Sequence, residues 1–421
     1  MRLQICRIIM YLFHNENVTV MYIERTLSKI VIEATKTFPV VLITGARQVG
    51  KTTIFERNKE PDRTYVTLDD PQVKALAKND PQLFLQVYKP PLLIDEIQYA
   101  PELFPYIKMA VDSVRQKGMF WLTGSQPFNL MQGVSESLAG RVAVLELLGL
   151  SQSEKKGYNH VPFLPDMVEA KHRNTTDIYS LYETILQGSF PELHANSSIN
   201  RTLFYSSYLK TYIERDIRQL IQITDEHRFL TFVKTAAART GQLLNYNDMA
   251  KDVEVSVNTI KSWISVLETS GLIFLLPPYY NNIANRALKT PKIYFTDTGL
   301  CSFLCGWETA ETLAHGAMSG SILETYIISE IVKSYRHNGL LANLYFYRDR
   351  DNKEIDLLIE RNGLFYPIEI KRSASPKLDD VKHFNILPLL KVPTGKGAII
   401  CLYDKILPLN SQTNIIPVEY L

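Results

Sequence analysis

The chain has 421 residues, 46% of them hydrophobic and 21% charged, with a formal net charge of +2. That length exceeds one ordinary core and implies two or three domains, and the globular composition excludes a repetitive or disordered chain. Near-neutral charge leaves no global field for nucleic acid or membrane, so any such binding must rest on local patches.

The opening "MRLQICRIIMYLF" carries two arginines and a short apolar patch, with no small-residue cleavage site after it. Residues 1–20 read either as an appendage ahead of Met21 or as an ordinary first helix. From Met21, "MYIERTLSKIVIEATKTFPVVLITG" reads as a helix followed by a strand.

That strand run leads into "GARQVGKTT", Gly45 to Thr53. Gly45 and Gly50, flanking Ala46, Arg47, Gln48 and Val49, let backbone N–H groups turn toward phosphate oxygens, and a following helix N-terminus adds a positive dipole end. Lys51 would reach the β- and γ-phosphates of ATP, and the Thr52 hydroxyl would ligate Mg²⁺. Thr53 continues the loop into the helix. Further on, "PPLLIDEIQ" is a short strand ending in two acids. Asp95 is expected in the Mg²⁺ shell and Glu96 as the base that activates water.

"MFWLTGSQ" is another strand with a polar end, where Thr123 or Ser125 would sit beside the γ-phosphate. "SLAGRVAVLELL" then places Arg141 before a fifth strand, where it could act on a neighbouring copy's nucleotide. Strands near 38–44, 64–69, 91–95, 119–124 and 142–148 predict an α/β fold, a P-loop parallel sheet covered on both faces.

"GARQVGKTT", "LLIDEIQ", "LTGSQ" and "LAGRV" resemble the AAA-type ATPases that carry a C-terminal DUF4143 domain. "YLKTYIERDIRQL", "RTGQLLNYNDMAK" and "KTPKIYFTDTGL" resemble the downstream part of the same family. The resemblance implies ATP binding with hydrolysis, and supplies no biological role.

The middle segment reads as helical. Two helical periods break at Val253–Val255, with Ser256 as a cap and Gly271 as a stop. Val257, Ile260, Ile264 and Leu267 would face inward, with strand residues next, as in a winged helix-turn-helix. Residues 201–300 hold 12 Lys and Arg against 9 Asp and Glu, which supports at most weak nucleic-acid contact.

"KEIDLLIERNGLFYPIEIKRS" contains Asn362-Gly363, a strong hairpin turn. Arg361 would then pair with Leu364 and Asp356 would face Glu369. Lys371 would share their face, and Ile355, Leu357, Ile359, Ile368 and Ile370 would line the other. Facing carboxylates repel, so either Lys371 or a divalent metal on Asp356 and Glu369 must compensate. The pattern resembles the PD-(D/E)xK nuclease core, in which the lysine aids the nucleophile; Glu324 on an upstream helix would be a fourth contributor. Ile355 stands where that pattern has proline.

The expected organisation is a P-loop ATPase domain at 21–165, a winged-helix region at 175–300 and a nuclease-like α/β domain at 310–421. ATP is the expected ligand and Mg²⁺ the cofactor. DNA or RNA, and further copies of the chain, are candidate partners. The alternative is a nucleotide-switched scaffold that binds a partner without cutting it. Four scattered cysteines, Cys6, Cys301, Cys305 and Cys401, complete neither a disulfide framework nor a zinc site. Such cysteine usage fits a reducing cytoplasm, and no apolar run reaches the roughly eighteen residues of a membrane helix.

Overall fold

A computed structural model describes residues 22–125, 133–134, 136–158, 161–168, 177–212, 225–280 and 290–421. The expectation for residues 1–20 and most of that for "YLKTYIERDIRQL" lie outside the described residues. The first strand, β1 (Val40–Thr44), is an unbroken buried run. Val40 and Leu42 pack into one cluster and Val41 and Ile43 into another, because strand side chains alternate between faces. A strand buried on both faces suits a parallel sheet. Four parallel partners supply it: β2 (Thr64–Thr67), β3 (Leu92–Asp95), β4 (Phe120–Gly124) and β5 (Val142–Glu146), in the order β2-β3-β4-β1-β5. Helices Leu27–Thr37 and Lys51–Asn58 cover one face, and helix Leu103–Val114 helps to cover the other.

The middle region begins with helices and ends in a small sheet. Helices Tyr246–Val253 and Val257–Thr269 are joined at Glu254, which takes a left-handed backbone with φ 58°. Ser256 caps the second helix by accepting the Thr259 N–H at 3.1 Å. Ile260, Ile264 and Leu267 are buried as expected, and Trp263 joins them. Val257 packs at the rim of the same core. Strands β6 (Gln242–Leu243), β7 (Ile273–Leu276) and β8 (Lys292–Phe295) form an antiparallel sheet in the order β6-β8-β7.

The C-terminal part is a mixed sheet of β9 (Leu344–Arg348), β10 (Glu354–Arg361), β11 (Leu364–Ile370), β12 (Gly397–Cys401), β13 (Leu407–Pro408) and β14 (Thr413–Pro417), ordered β13-β14-β12-β11-β10-β9. Helix Ser319–Arg336 packs into the same core as the middle helices, so one continuous buried cluster runs from Leu148 to Leu421. Among the described residues no helix is long and apolar enough to cross a membrane.

The β10–β11 hairpin turns at Asn362-Gly363, both with positive φ (52° and 76°), as a tight two-residue turn requires. Its ladder runs from Arg361 facing Leu364 to Leu357 facing Ile368. There it stops, one pair short of Asp356 and Glu369: the Asp356 carboxylate accepts the Ile370 N–H at 2.8 Å. The expectation for Ile355 needs correction. The β9–β10 register shifts between Ile355 and Leu358, and this bulge flips alternation locally. Ile355 therefore packs with Leu358 and Phe365, while Leu357, Ile359, Ile368 and Ile370 line the main core on the other side.

Candidate functional site

The loop between β1 and helix Lys51–Asn58 is built on two glycines. Gly45 has φ 142°, and a Cβ there would lie 2.1 Å from the Leu147 carbonyl oxygen. Gly50, at φ 92°, caps the helix in a left-handed conformation open chiefly to glycine. Ala46 and Val49 are buried and anchor the loop, Arg47 is half-buried, and Gln48 and Thr53 are exposed. Lys51 is buried, and its Nζ donates to the carbonyls of Gly45 at 3.1 Å and Ala46 at 2.8 Å. The ammonium thus lies within the cradle that the loop forms.

Adjacent strand ends bring the next residues together. The Thr52 hydroxyl donates to Asp95 Oδ1 at 2.8 Å. The buried Thr123 hydroxyl donates to the same oxygen and accepts the Glu96 N–H at 3.1 Å. Tyr65, which sequence reasoning missed, donates to Asp95 Oδ2 at 3.2 Å. Burial and the Asp95 charge push its phenol up to about 12, so at neutral pH it remains a donor. Glu96 has φ 56° and ψ 47°, a strained setting for a residue with a side chain. Ser125 donates to its Oε1 at 3.2 Å and Gln98 to its Oε2, so the carboxylate is held from both sides.

Arg141 lies elsewhere. Val40 pairs with Val142, which places Arg141 at the opposite end of the sheet from the loop, roughly 16 Å along β1. It forms a two-pronged surface pair with Asp112, Nε to Oδ1 at 2.6 Å and Nη2 to Oδ2 at 3.0 Å. It cannot reach its own nucleotide loop.

Arg25 was also missed. It is buried and donates to the Val49 carbonyl inside the loop at 2.7 Å and to Leu148 at 2.7 Å. Its Nε lies 3.3 Å from Glu154, which also lies 3.3 Å from His337 at the C-terminal end of helix Ser319–Arg336. Burial alone would raise Glu154, but the charges of Arg25 and His337 outweigh it and hold the carboxyl well below its ordinary value. From the middle region, Gly271 comes against Ala46 so closely that a Cβ would lie 3.2 Å from the Ala46 nitrogen. The loop therefore touches the middle region directly and reaches the C-terminal part through two residues, Arg25 and Glu154.

A second cluster surrounds the hairpin. Lys371 donates to Glu369 Oε1 at 2.6 Å. Burial, then the charges of Glu369 and Glu324, push Asp356 well above the ordinary carboxylate range. Glu324 accepts from Tyr294 at 2.5 Å and from Lys292 at 3.1 Å. Lys292 and Glu354 were not anticipated, although a lysine opening the buried run "KIYF" was a visible signal.

A parallel sheet, a glycine-flanked phosphate-type loop after β1 and paired acids at the end of β3, with β4 between the two strands, define an AAA-type P-loop NTPase-like domain. Family models agree: an AAA domain (AAA_14) matches residues 37–156 and a domain of unknown function, DUF4143, matches 319–421. A further domain of unknown function, DUF8612, matches 178–311. An uncharacterized protein of Mycobacterium tuberculosis is 30% identical over 346 residues, covering 81% of this chain and 72% of the relative, and one of Mycobacterium bovis matches equally. The chain belongs to the AAA_14 plus DUF4143 family. Among solved structures it is similar to a Walker-type ATPase of Pyrococcus abyssi, at 14% identity and TM-score 0.42, over 66% of this chain and 94% of that one.

Proposed function

We propose that this chain is a Mg²⁺-dependent ATPase whose nucleotide state is passed through the middle region to the C-terminal module. The observation that carries this is the convergence of Lys51, Thr52, Asp95, Thr123, Glu96 and Ser125 at the loop end of the sheet. The backbone N–H groups of the Gly45–Gly50 loop receive the phosphates, and Lys51 turns from the loop carbonyls to the β- and γ-oxygens. Thr52 and Asp95 are oxygen donors of the type Mg²⁺ takes, and the ion when bound neutralises charge on those phosphate oxygens. Glu96 orients and deprotonates the attacking water, steadied by Gln98 and Ser125. Thr123 and Ser125, each tied to one acid, sense the γ-phosphate. Arg25 and Gly271, both against the loop, carry the signal outward.

Arg141 is the residue offered to a neighbouring copy, which its distance from its own loop supports. Phosphate release should require Mg²⁺ and rise per chain with protein concentration. Mixing Arg141→Ala with Lys51→Ala chains, each inactive alone, should recover turnover, because an intact arginine then serves an intact loop. Concentration-independent turnover with no recovery on mixing would leave Arg141 as a surface partner of Asp112, and turnover that survives chelation of Mg²⁺ would overturn the metal role.

The C-terminal module is proposed as a nuclease-like, nucleic-acid-binding unit, supported by the gathering of Asp356, Glu369, Glu324 and Lys371 about one hairpin. Asp356 and Glu369 would hold the metal there and Lys371 would assist the nucleophile. The helix Val257–Thr269 acts as part of a winged helix-turn-helix, offering the exposed Asn258, Lys261, Ser262 and Ser265 to the backbone of DNA or RNA. Labelled DNA or RNA with ATP and Mg²⁺ or Mn²⁺ should be cut by the wild type and left intact by Asp356→Ala, with ATP affinity unchanged. Binding without cutting would favour the scaffold role.

A further inference from the structure

The hairpin acids have a cation among them that comes from another part of the chain. Lys292 opens β8, a strand buried at every position. Its Nζ lies 2.6 Å from Glu354 Oε1 and 3.1 Å from Glu324 Oε1, and its side chain is only 5% exposed. Tyr294, on the same strand, donates to the same Glu324 oxygen. Burial would lower the Lys292 ammonium, but the charges of Glu324, Glu354 and Asp356 outweigh it and raise it, so the cation is fully formed.

Every acid of the cluster has a protein donor. Glu324 and Glu354 have Lys292, Glu369 has Lys371, and Asp356 has the Ile370 N–H. Buried carboxylates need a counter-charge, and an ammonium bonded to their oxygens competes with a divalent ion for them. Among the described residues, no three His, Cys, Asp or Glu side chains are arranged to hold a metal ion. The strand that delivers Lys292 is paired to β7, and just before β7 stands Gly271, the residue against the nucleotide loop.

We propose that Lys292 is a built-in counter-cation that closes the hairpin cluster to divalent metal, so that β8 of the middle region holds the C-terminal module metal-free. The proposal deepens the nuclease-like interpretation and rests on it for the identity of the cluster. It makes β8 an autoinhibitory contact: the metal site opens only when the strand withdraws its lysine.

The test uses the full chain without nucleotide, titrated with Mn²⁺ and followed by thermal melting and by electron paramagnetic resonance of the ion. The wild type should show no Mn²⁺ response that depends on Asp356. Lys292→Met should melt lower without metal and rise by roughly 3–5 °C at about a hundredfold excess over Kd. Lys292→Met with Asp356→Asn should lose that rise. A wild-type chain that binds Mn²⁺, with binding lost in Asp356→Asn, overturns the proposal, as does a folded Lys292→Met that ignores Mn²⁺. Should Lys292→Met fail to fold, the resonance signal of the wild type against Asp356→Asn still decides. If Lys292→Met binds Mn²⁺ but cuts no nucleic acid, the counter-cation stands and the nuclease role falls. Metal-dependent cutting by the wild type without nucleotide, lost in Asp356→Asn, overturns the counter-cation and leaves the nuclease role standing.

Discussion

Replacing Lys51 by alanine is expected to weaken ATP binding by roughly 10²–10⁴-fold. The estimate follows from two charge-assisted contacts to phosphate at about 1.5–3 kcal/mol each. The buried ammonium is already held within the loop by the Gly45 and Ala46 carbonyls, so it needs only a short swing toward a bound phosphate chain. The backbone cradle survives its loss, since Gly45 and Gly50 set the loop's shape. Titration with a fluorescent ATP analogue measures the effect, and a melting curve checks that the truncated chain still folds. An affinity within threefold of the wild type would remove Lys51 from phosphate binding.

Glu96→Gln should separate binding from turnover. The substitution preserves size and both neighbours, Ser125 on one oxygen and Gln98 on the other, but removes the basic carboxylate. ATP affinity should stay within a few-fold of the wild type, while turnover falls by about 10²–10⁴-fold, the usual range for loss of a general base. The left-handed backbone at Glu96 supports a functional demand here, because such strain is kept where geometry matters. Wild-type turnover by Glu96→Gln would assign proton removal to another group. A parallel loss of affinity would mean instead that the carboxylate shapes the phosphate site.

What was legible in the sequence is local. The three central strands of the parallel sheet, β1, β3 and β4, show as apolar runs, because a strand buried on both faces has no polar side to display. Gly45, Gly50 and Asn362-Gly363 are visible because their backbone angles demand those residue types. Asp95 and Thr123 are each legible as the polar end of a strand, while their meeting rests on β3 and β4 being neighbours in the sheet.

Only the tertiary structure decided the rest. Arg25 on Val49, Glu154 between Arg25 and His337, Gly271 on Ala46, and Lys292 among Glu324 and Glu354 join residues far apart in the chain. No periodicity links such partners, since side-chain repeats along a helix or strand report only neighbours a few positions away. The bulge at Ile355 escaped for a related reason: strict alternation predicts a flat register, and the inserted residue answers to what β9 and the cores on either side require. Thus the sequence by itself determined the P-loop sheet, the nucleotide loop with its two acids, and the hairpin turn, all set by backbone angles and short-range burial patterns. The docking of three regions into shared cores decided which cation sits among the hairpin acids, because a buried charge pairs with whatever counter-charge packing brings to it.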